Sequence, residues 1–367
     1  MLKNELKAAL AIMGTVFVPL FAQADQPMST SQGQQQPGYV SGEKIQAGQL
    51  PGAYNQSADY MCDNGWDIFL TGDYIWWNWS QDVGTSVGFN GVIGSSLNVN
   101  LTPDLVTPGY ASGFQVGLGF NMHGMDDWNF YGEYTWYKNS GSKSNSVDIA
   151  NDLGSASLSG SGNRHIKYSN ADFLLQRPFY FGKKLTSNFY TGLKALWITR
   201  NGSASSSGTF DLLDGQFASD GAVSFSATDK TSSWALGPKF GMDSNWLLGY
   251  GFKFLSNISA SVLYTRYTEN STMTSTGDLT ILGNNPTITG TQTVAINNYG
   301  TLRPVLETYL GLGWGSFFCD DSFHFDLSIG YDFNVYWDYV TTASAAGVAT
   351  PANLYLHGLN VQLRFDF

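Results

Sequence analysis

The sequence predicts an all-β chain: a transmembrane antiparallel β-barrel of about ten strands, with short periplasmic turns and long extracellular loops. Three observations lead there. The chain opens with an export signal, its later segments alternate apolar and polar residues over bilayer-length stretches, and the connections between those segments are short and long in turn.

Residues 1–24 read as a signal peptide, with Lys3 and Lys7 ahead of an apolar run that ends at Ala22-Gln23-Ala24, a small-x-small cleavage site. The mature chain is expected to begin near Asp25. Beyond it no apolar run approaches the roughly 18 residues of a membrane helix, so an exported helical membrane protein is ruled out. A formal charge of −11 argues against nucleic acid and against docking on anionic lipid. The composition, 24 Phe, 20 Tyr, 11 Trp and 42 Gly with only 13% charged residues, suits strands with interfacial aromatics and tight bends.

Residues 25–60 are rich in Gln, Gly, Ser and Pro and lack apolar periodicity, so they are expected to be a disordered periplasmic tail, with a plug folded into the lumen left open. The barrel is expected over 61–367. Its first strand runs from 66 to about 79, with Trp66, Ile68, Leu70, Tyr74 and Trp76 on one face and Asp67, Thr71 and Asp73 on the other. Trp66 and Trp76 bracket a stretch of the roughly 9–11 residues that a tilted strand needs to cross a bilayer. Phe114 to Phe120 and Trp128 to Trp136 form the next hairpin, followed by a long polar loop over 138–163. The cycle repeats through loops over 201–230 and up to 298, and the strand from Phe323 to Trp337 is the most regular. The expected aromatic girdle is Trp66, Trp76, Trp128, Trp136, Trp234, Trp314, Trp337 and Phe367. Smaller alternations at 97–101, 222–225 and 279–282 read either as extensions of the strands above the membrane or as extra hairpins that would raise the count to about 16; none shows an aromatic-bounded apolar stripe, so about ten is kept.

The closing strand sets Leu359, Val361, Leu363, Phe365 and Phe367 against Asn360, Gln362, Arg364 and Asp366. Side chains alternate across a strand, so this implies lipid on one face and a polar lumen on the other. A terminal Phe behind an alternating stripe also resembles the signal read by barrel-assembly machinery, an expected partner beside outer-membrane lipid.

Three stretches carry a family resemblance: Tyr190-Thr191-Gly192-Leu193-Lys194-Ala195-Leu196-Trp197-Ile198 after Ala171-Asp172-Phe173-Leu174-Leu175-Gln176-Arg177-Pro178; Gly237-Pro238-Lys239-Phe240-Gly241-Met242-Asp243-Ser244-Asn245-Trp246-Leu247-Leu248-Gly249 leading to Ser261-Val262-Leu263-Tyr264; and Leu310-Gly311-Leu312-Gly313-Trp314 before Val335-Tyr336-Trp337. In this order they resemble the major outer membrane protein family of Legionella and the environmental chlamydiae. The resemblance implies an abundant, surface-exposed, porin-like barrel of the bacterial outer membrane and brings no catalytic residues. Only two cysteines are present, so a disulfide-linked envelope mesh is not implied, and the Gln-rich tail has no counterpart.

The leading functional expectation is passive diffusion of small polar solutes through a water-filled lumen lined by Asp67, Asp73, Glu133, Asp172, Lys194, Lys239, Arg303, Glu307, Asp326, Asp332, Asp338, Arg364 and Asp366. The bland alternative is that these charges pair and close the lumen, since roughly eight strands leave room only for side chains and 16 leave a pore. Three acids on one strand, Asp326, Asp332 and Asp338, suggest cation preference. The alternative function is a closed barrel acting as a surface adhesin or antigen, its long loops binding a host ligand. An enzyme is not expected: His123, His165, His324 and His357 lack a carboxylate arranged as a rim protease requires. No Cys/His spacing suggests a metal, and no cofactor is expected. Cys62 and Cys319 both fall on the periplasmic side, where the spacing is compatible with a disulfide between them and equally with two free thiols or intermolecular bonds. A homo-oligomer is left open.

Overall fold

Ten antiparallel strands close into a ring in which each pairs with its neighbours in the chain and the first pairs with the last. In the computed structural model they are β1 (Ile68–Gln81), β2 (Ala111–Met122), β3 (Trp128–Asn151), β4 (Gly154–Tyr180), β5 (Leu185–Asp214), β6 (Phe217–Gly249), β7 (Phe252–Leu279), β8 (Thr287–Phe318), β9 (Phe323–Ala343) and β10 (Ala349–Asp366). The residues described are 56–60, 62, 67–82, 86–87, 90–93, 97–100, 104–106, 108–122, 126–151, 154–214, 217–279, 287–343 and 349–367. The signal peptide, most of the tail, Trp66 and His123 lie outside them.

Alternation decides which way each side chain faces. On β1, Leu70, Tyr74 and Trp76 face outward while Phe69, Asp73, Ile75 and Trp77 are buried inside. The outward stripes are apolar throughout the belt, as with Phe240 at 60% exposure and Leu312 at 58%. A ring exposing this much aliphatic and aromatic surface is stable in lipid, where closure leaves no strand edge unpaired. Trp76, Trp197 and Trp234 form the outer girdle, Trp234 directly opposite Trp197 across the β5–β6 ladder. Trp246, Phe252, Trp314 and Phe323 form the periplasmic one, with Phe252 opposite Trp314. Trp128 and Trp136 are half-buried on the outer face of β3, and Phe367 packs edge-on against Phe323 with ring centroids 6.1 Å apart.

One alternative is resolved and one expectation needs correction. The long extracellular loops are largely strand: β5, β6, β7 and β8 hold 30, 33, 28 and 32 residues, far more than the roughly 9–11 a bilayer needs. Ser, Thr, Asn and Gly offer no apolar stripe to read, yet their backbones continue the ladders, as from Asn129↔Gln176 to Asn151↔Gly154 between β3 and β4. Among the described residues the smaller alternations form no further membrane hairpin, and residues 101 and 280–282 lie outside them. Residues 222–225 belong to β6, and Leu97–Asn100 pairs with Asn90–Ile93 in a small sheet beside the pairing of Ser86–Val87 with Asp104–Leu105.

The correction concerns β9. Its register against β10 slips between Tyr336↔Leu354 and Val340↔Ala352, so Trp337, Asp338 and Tyr339 face Asn353 alone. Asp338 takes a left-handed conformation (φ 51°), and its N–H donates to Asn353 Oδ1 at 2.9 Å. This bulge interrupts the alternation. Trp337 is half-buried, Asp338 leaves the lumen stripe, and Tyr339 turns inward beside Tyr336.

Candidate functional site

The candidate site is the lumen, which side chains fill in two storeys. In the lower one, Lys194 Nζ lies 2.6 Å from Glu307 Oε1 and 3.5 Å from Asp172 Oδ2, while Lys239 Nζ lies 2.7 Å from Asp172 Oδ2 and 2.7 Å from Glu307 Oε2. Four strands thus meet in one ionic square, and Lys194 is fully buried. Desolvating these charges is costly, and the reciprocal pairing offsets the cost. Beside the square, Asn360 Nδ2 donates to Asp332 Oδ2 at 3.0 Å, to Gln115 Oε1 at 3.2 Å and to Asp73 Oδ2 at 3.4 Å. Trp77 Nε1 donates to Asp332 at 2.9 Å, and Tyr131 donates to Glu133 at 2.8 Å. Asp73, Glu133 and Asp332 are therefore held by neutral donors, with no ion pair to a base among the described residues.

The upper storey is apolar and aromatic. Trp77, Tyr137, Tyr168, Tyr336, Tyr339 and Tyr267 join Ile166, Leu196, Ile198, Leu263, Leu354 and Leu356 in one buried cluster. Rings pass contact across the bore: Trp77 to Tyr168 at 6.2 Å, Tyr168 to Tyr336 at 6.1 Å, Tyr336 to Tyr339 and Tyr339 to Tyr267 at 5.7 Å each. The Tyr168 and Tyr336 hydroxyls are 2.8 Å apart, although β4 and β9 stand five places apart in a ring of ten. The bore is therefore bridged along its full width. Tyr336 also donates to Glu307 at 3.4 Å, tying the storeys together, and the Arg303 guanidinium caps Tyr267, 5.8 Å from its ring centroid.

At the periplasmic mouth, Lys253 pairs with Asp326, His324 Nδ1 lies 3.0 Å from Asp366, and Arg364 pairs with Asp366 at 2.6 Å. The Arg364 guanidinium lies 3.9 Å from the Phe69 ring centroid and 5.2 Å from that of Tyr60. Residues 56–60 reach this mouth. Ala58 N donates to Pro178 O at 3.2 Å, Tyr180 N donates to Gln56 O at 2.9 Å, and the Tyr60 ring stacks on His324 at 3.8 Å.

The structure gathers Asp73, Glu133, Asp172, Lys194, Lys239, Glu307, Asp326, Asp332, Arg364 and Asp366 in the lumen below the aromatic layer, with Arg303 above. It does not bring Asp67 or Asp338 there. Asp67 sits half-buried in a left-handed bend ahead of β1, where its carbonyl accepts from Asn121 N at 2.7 Å. Arg364 stands directly opposite Asp326 across the β9–β10 ladder but makes its ion pair with Asp366 on its own strand, while Asp326 takes Lys253. Cys62 and Cys319 are not joined: both remain thiols. Sequence reasoning missed Lys253, which alternation between outward Phe252 and Phe254 could have found, and Trp197 and Trp246 in the girdles. It also missed the inward aromatics, because Trp77 and Tyr168 look alike whether they face lipid or lumen.

The chain matches the family described as Legionella pneumophila major outer membrane protein precursor over residues 53–367. No curated protein matches it. Among solved structures, a Pseudomonas aeruginosa FadL homologue is 9% identical over 82% of this chain and 89% of that chain, at a TM-score of 0.24. The Pseudomonas putida toluene transporter TodX is 7% identical over 83% and 89%, at 0.23. The transport unit of the autotransporter AIDA-I from Escherichia coli is 8% identical over 83% and 91%, at 0.13. Similarity this slight carries no functional argument. The family match spans most of the chain and agrees with its apolar outer belt and closed ring of ten strands: this is an outer-membrane β-barrel and a member of the Legionella major outer membrane protein family.

Proposed function

We propose that the barrel is an outer-membrane channel for small polar solutes whose lumen is held shut by side chains at rest, so that permeation requires the Tyr168–Tyr336 layer to part. The observation that carries this reading is the ionic storey beneath that layer. A permanently filled core gains nothing from buried ions, since packed apolar residues in their place are as stable or more so. Lysines, acids and amides held by side-chain bonds alone can exchange partners with water and passing ions. Acids outnumber bases there, which favours cations.

Conductance in a planar bilayer tests the reading. The native protein is expected to show small, infrequent, cation-preferring openings, and Tyr168→Ala combined with Tyr336→Ala larger and more frequent ones. Silence from both folded proteins would sink the channel.

A second reading, a surface role in ligand attachment, is favoured by the extracellular extension. Its wall presents hydroxyl ladders such as Ser159–Ser207 and Ser161–Ser205, at 2.9 and 2.8 Å, and the second of these pairs lines a cavity of about 390 Å³. Replacing residues 142–161 with a tight turn should abolish attachment to host cells and spare conductance if binding resides there. Unchanged attachment would exclude this hairpin.

A further inference from the structure

We infer that residues 56–60 form a displaceable strap across the periplasmic mouth of the lumen, with Tyr60 as its stopper; this rests on the channel reading above. On one side the segment caps the edge of β4 beyond Gln176, where the ladder to β3 has ended. Its backbone holds by the Ala58–Pro178 and Tyr180–Gln56 hydrogen bonds, which together make one antiparallel bridge between Ser57 and Phe179, and Asn129 Nδ2 donates to Asp59 Oδ1 at 2.6 Å. On the other side Tyr60 lies among residues of β7, β8, β9 and β10. Lys253 Nζ donates to its hydroxyl at 2.9 Å, and that hydroxyl lies 3.5 Å from Asp326 Oδ2. Its ring stacks on His324 and meets Phe317 edge-on at 6.2 Å, with the Lys253 ammonium 5.4 Å and the Arg364 guanidinium 5.2 Å from its centroid. The strap thus runs from β3 and β4 to the far side of the ring.

The attachment is built to release. Two backbone hydrogen bonds hold its main chain, beside the side-chain contacts of Asp59 and Tyr60, whereas β1 and β10 pair through thirteen residue partners. Withdrawing Tyr60 breaks no barrel ladder. The ion pairs Lys253–Asp326 and Arg364–Asp366 are made without it, so the mouth keeps its charged wall when the strap leaves. An aromatic ring between two cations and a histidine gains cation–π attraction in a site from which water is partly excluded, which explains why Tyr occupies position 60.

Full-length folded protein in detergent is treated with an amine-acetylating reagent, and modification is followed at each lysine by mass spectrometry. Lys183 and Lys184, exposed in the turn between β4 and β5, serve as the accessible reference. Lys253 is expected to react at least tenfold more slowly than these in the native protein and several-fold faster in Tyr60→Ala, still below the reference because its ion pair with Asp326 remains, while buried Lys194 stays slow in both and reports an intact barrel. Equal Lys253 rates with and without Tyr60 would overturn the strap. Conductance is then compared in the Tyr168→Ala/Tyr336→Ala background with and without Tyr60→Ala. The strap predicts a several-fold higher open probability without Tyr60, and an unchanged one would overturn its role as a stopper. If that background is silent, the channel reading fails by itself and Lys253 labelling alone decides whether the strap is seated.

Discussion

The hydroxyls of Tyr168 and Tyr336 meet at 2.8 Å from strands on opposite sides of the ring. One hydrogen bond therefore measures the bore: at that level nothing wider than a pair of tyrosine side chains separates the walls. Tyr168→Phe keeps the ring and removes the bond, so conductance should stay at the native level while stability falls by about 1 kcal/mol. The urea midpoint of the heat-modifiable gel band reads this loss. A large rise in conductance from Phe alone would show that the hydroxyls rather than the rings hold the bore shut.

Lys239→Met should be far more damaging. It leaves Asp172 and Glu307 sharing Lys194, and stranding a buried charge costs roughly 3–5 kcal/mol. Adding Asp172→Leu removes the stranded acid and leaves Lys194–Glu307 at 2.6 Å intact, so the double variant should recover most of the loss. Unfolding midpoints of the four proteins in this cycle check the coupling, and additive losses would mean that the square is not one unit.

Asp73 and Asp332 face the lumen without a basic partner. In the Tyr168→Ala/Tyr336→Ala background, Asp73→Asn with Asp332→Asn should move the reversal potential in a salt gradient toward zero. A potential that does not move would place selectivity elsewhere.

The final strand closes on the first: Phe367 N donates to Ile68 O at 3.0 Å, and the Phe367 ring packs on Phe323. Phe367→Ala removes the ring and keeps the backbone bond. The expected outcome is slower assembly in cells, seen as a smaller heat-modifiable fraction, with near-native stability in the protein that does fold. Unimpaired assembly would count against a terminal recognition mark.

Cys319 is exposed in the turn before β9 and Cys62 is half-buried ahead of β1, with no bond between them. Mass analysis of the exported protein without reductant should find two thiols, Cys319 reacting faster with maleimide. A mass lower by two hydrogens would mean a bridge forms.

How much could be read in advance follows from the period-two rule. On β10, Leu363 and Phe365 face lipid while Asn360 and Asp366 are buried, as alternation alone requires. The belt, the periplasmic turns, the ring of ten and most of the charged lining were legible for the same reason, because facing in or out is a local property of a strand. The rule failed where the backbone departed from it, at the bulge that swings Tyr339 inward and Asp338 aside. It was silent where composition carried no apolar stripe, as along the Ser-rich extension of β5, and at 222–225 in β6 it left a strand extension and an extra hairpin both open.

By itself the sequence determined that this chain is exported, that it crosses the outer membrane with alternating strands, and which residues face inward along most of each strand. Only the tertiary structure decided which inward residues meet. Tyr168 and Tyr336 are separated by 168 positions, and Lys194 and Glu307 by 113. Those meetings depend on ring closure, strand stagger and bore width, which no local pattern encodes. The physical consequence is that charges and aromatics compatible with a wet channel instead meet one another across a narrow ring, where the Tyr168–Tyr336 pair bridges the bore.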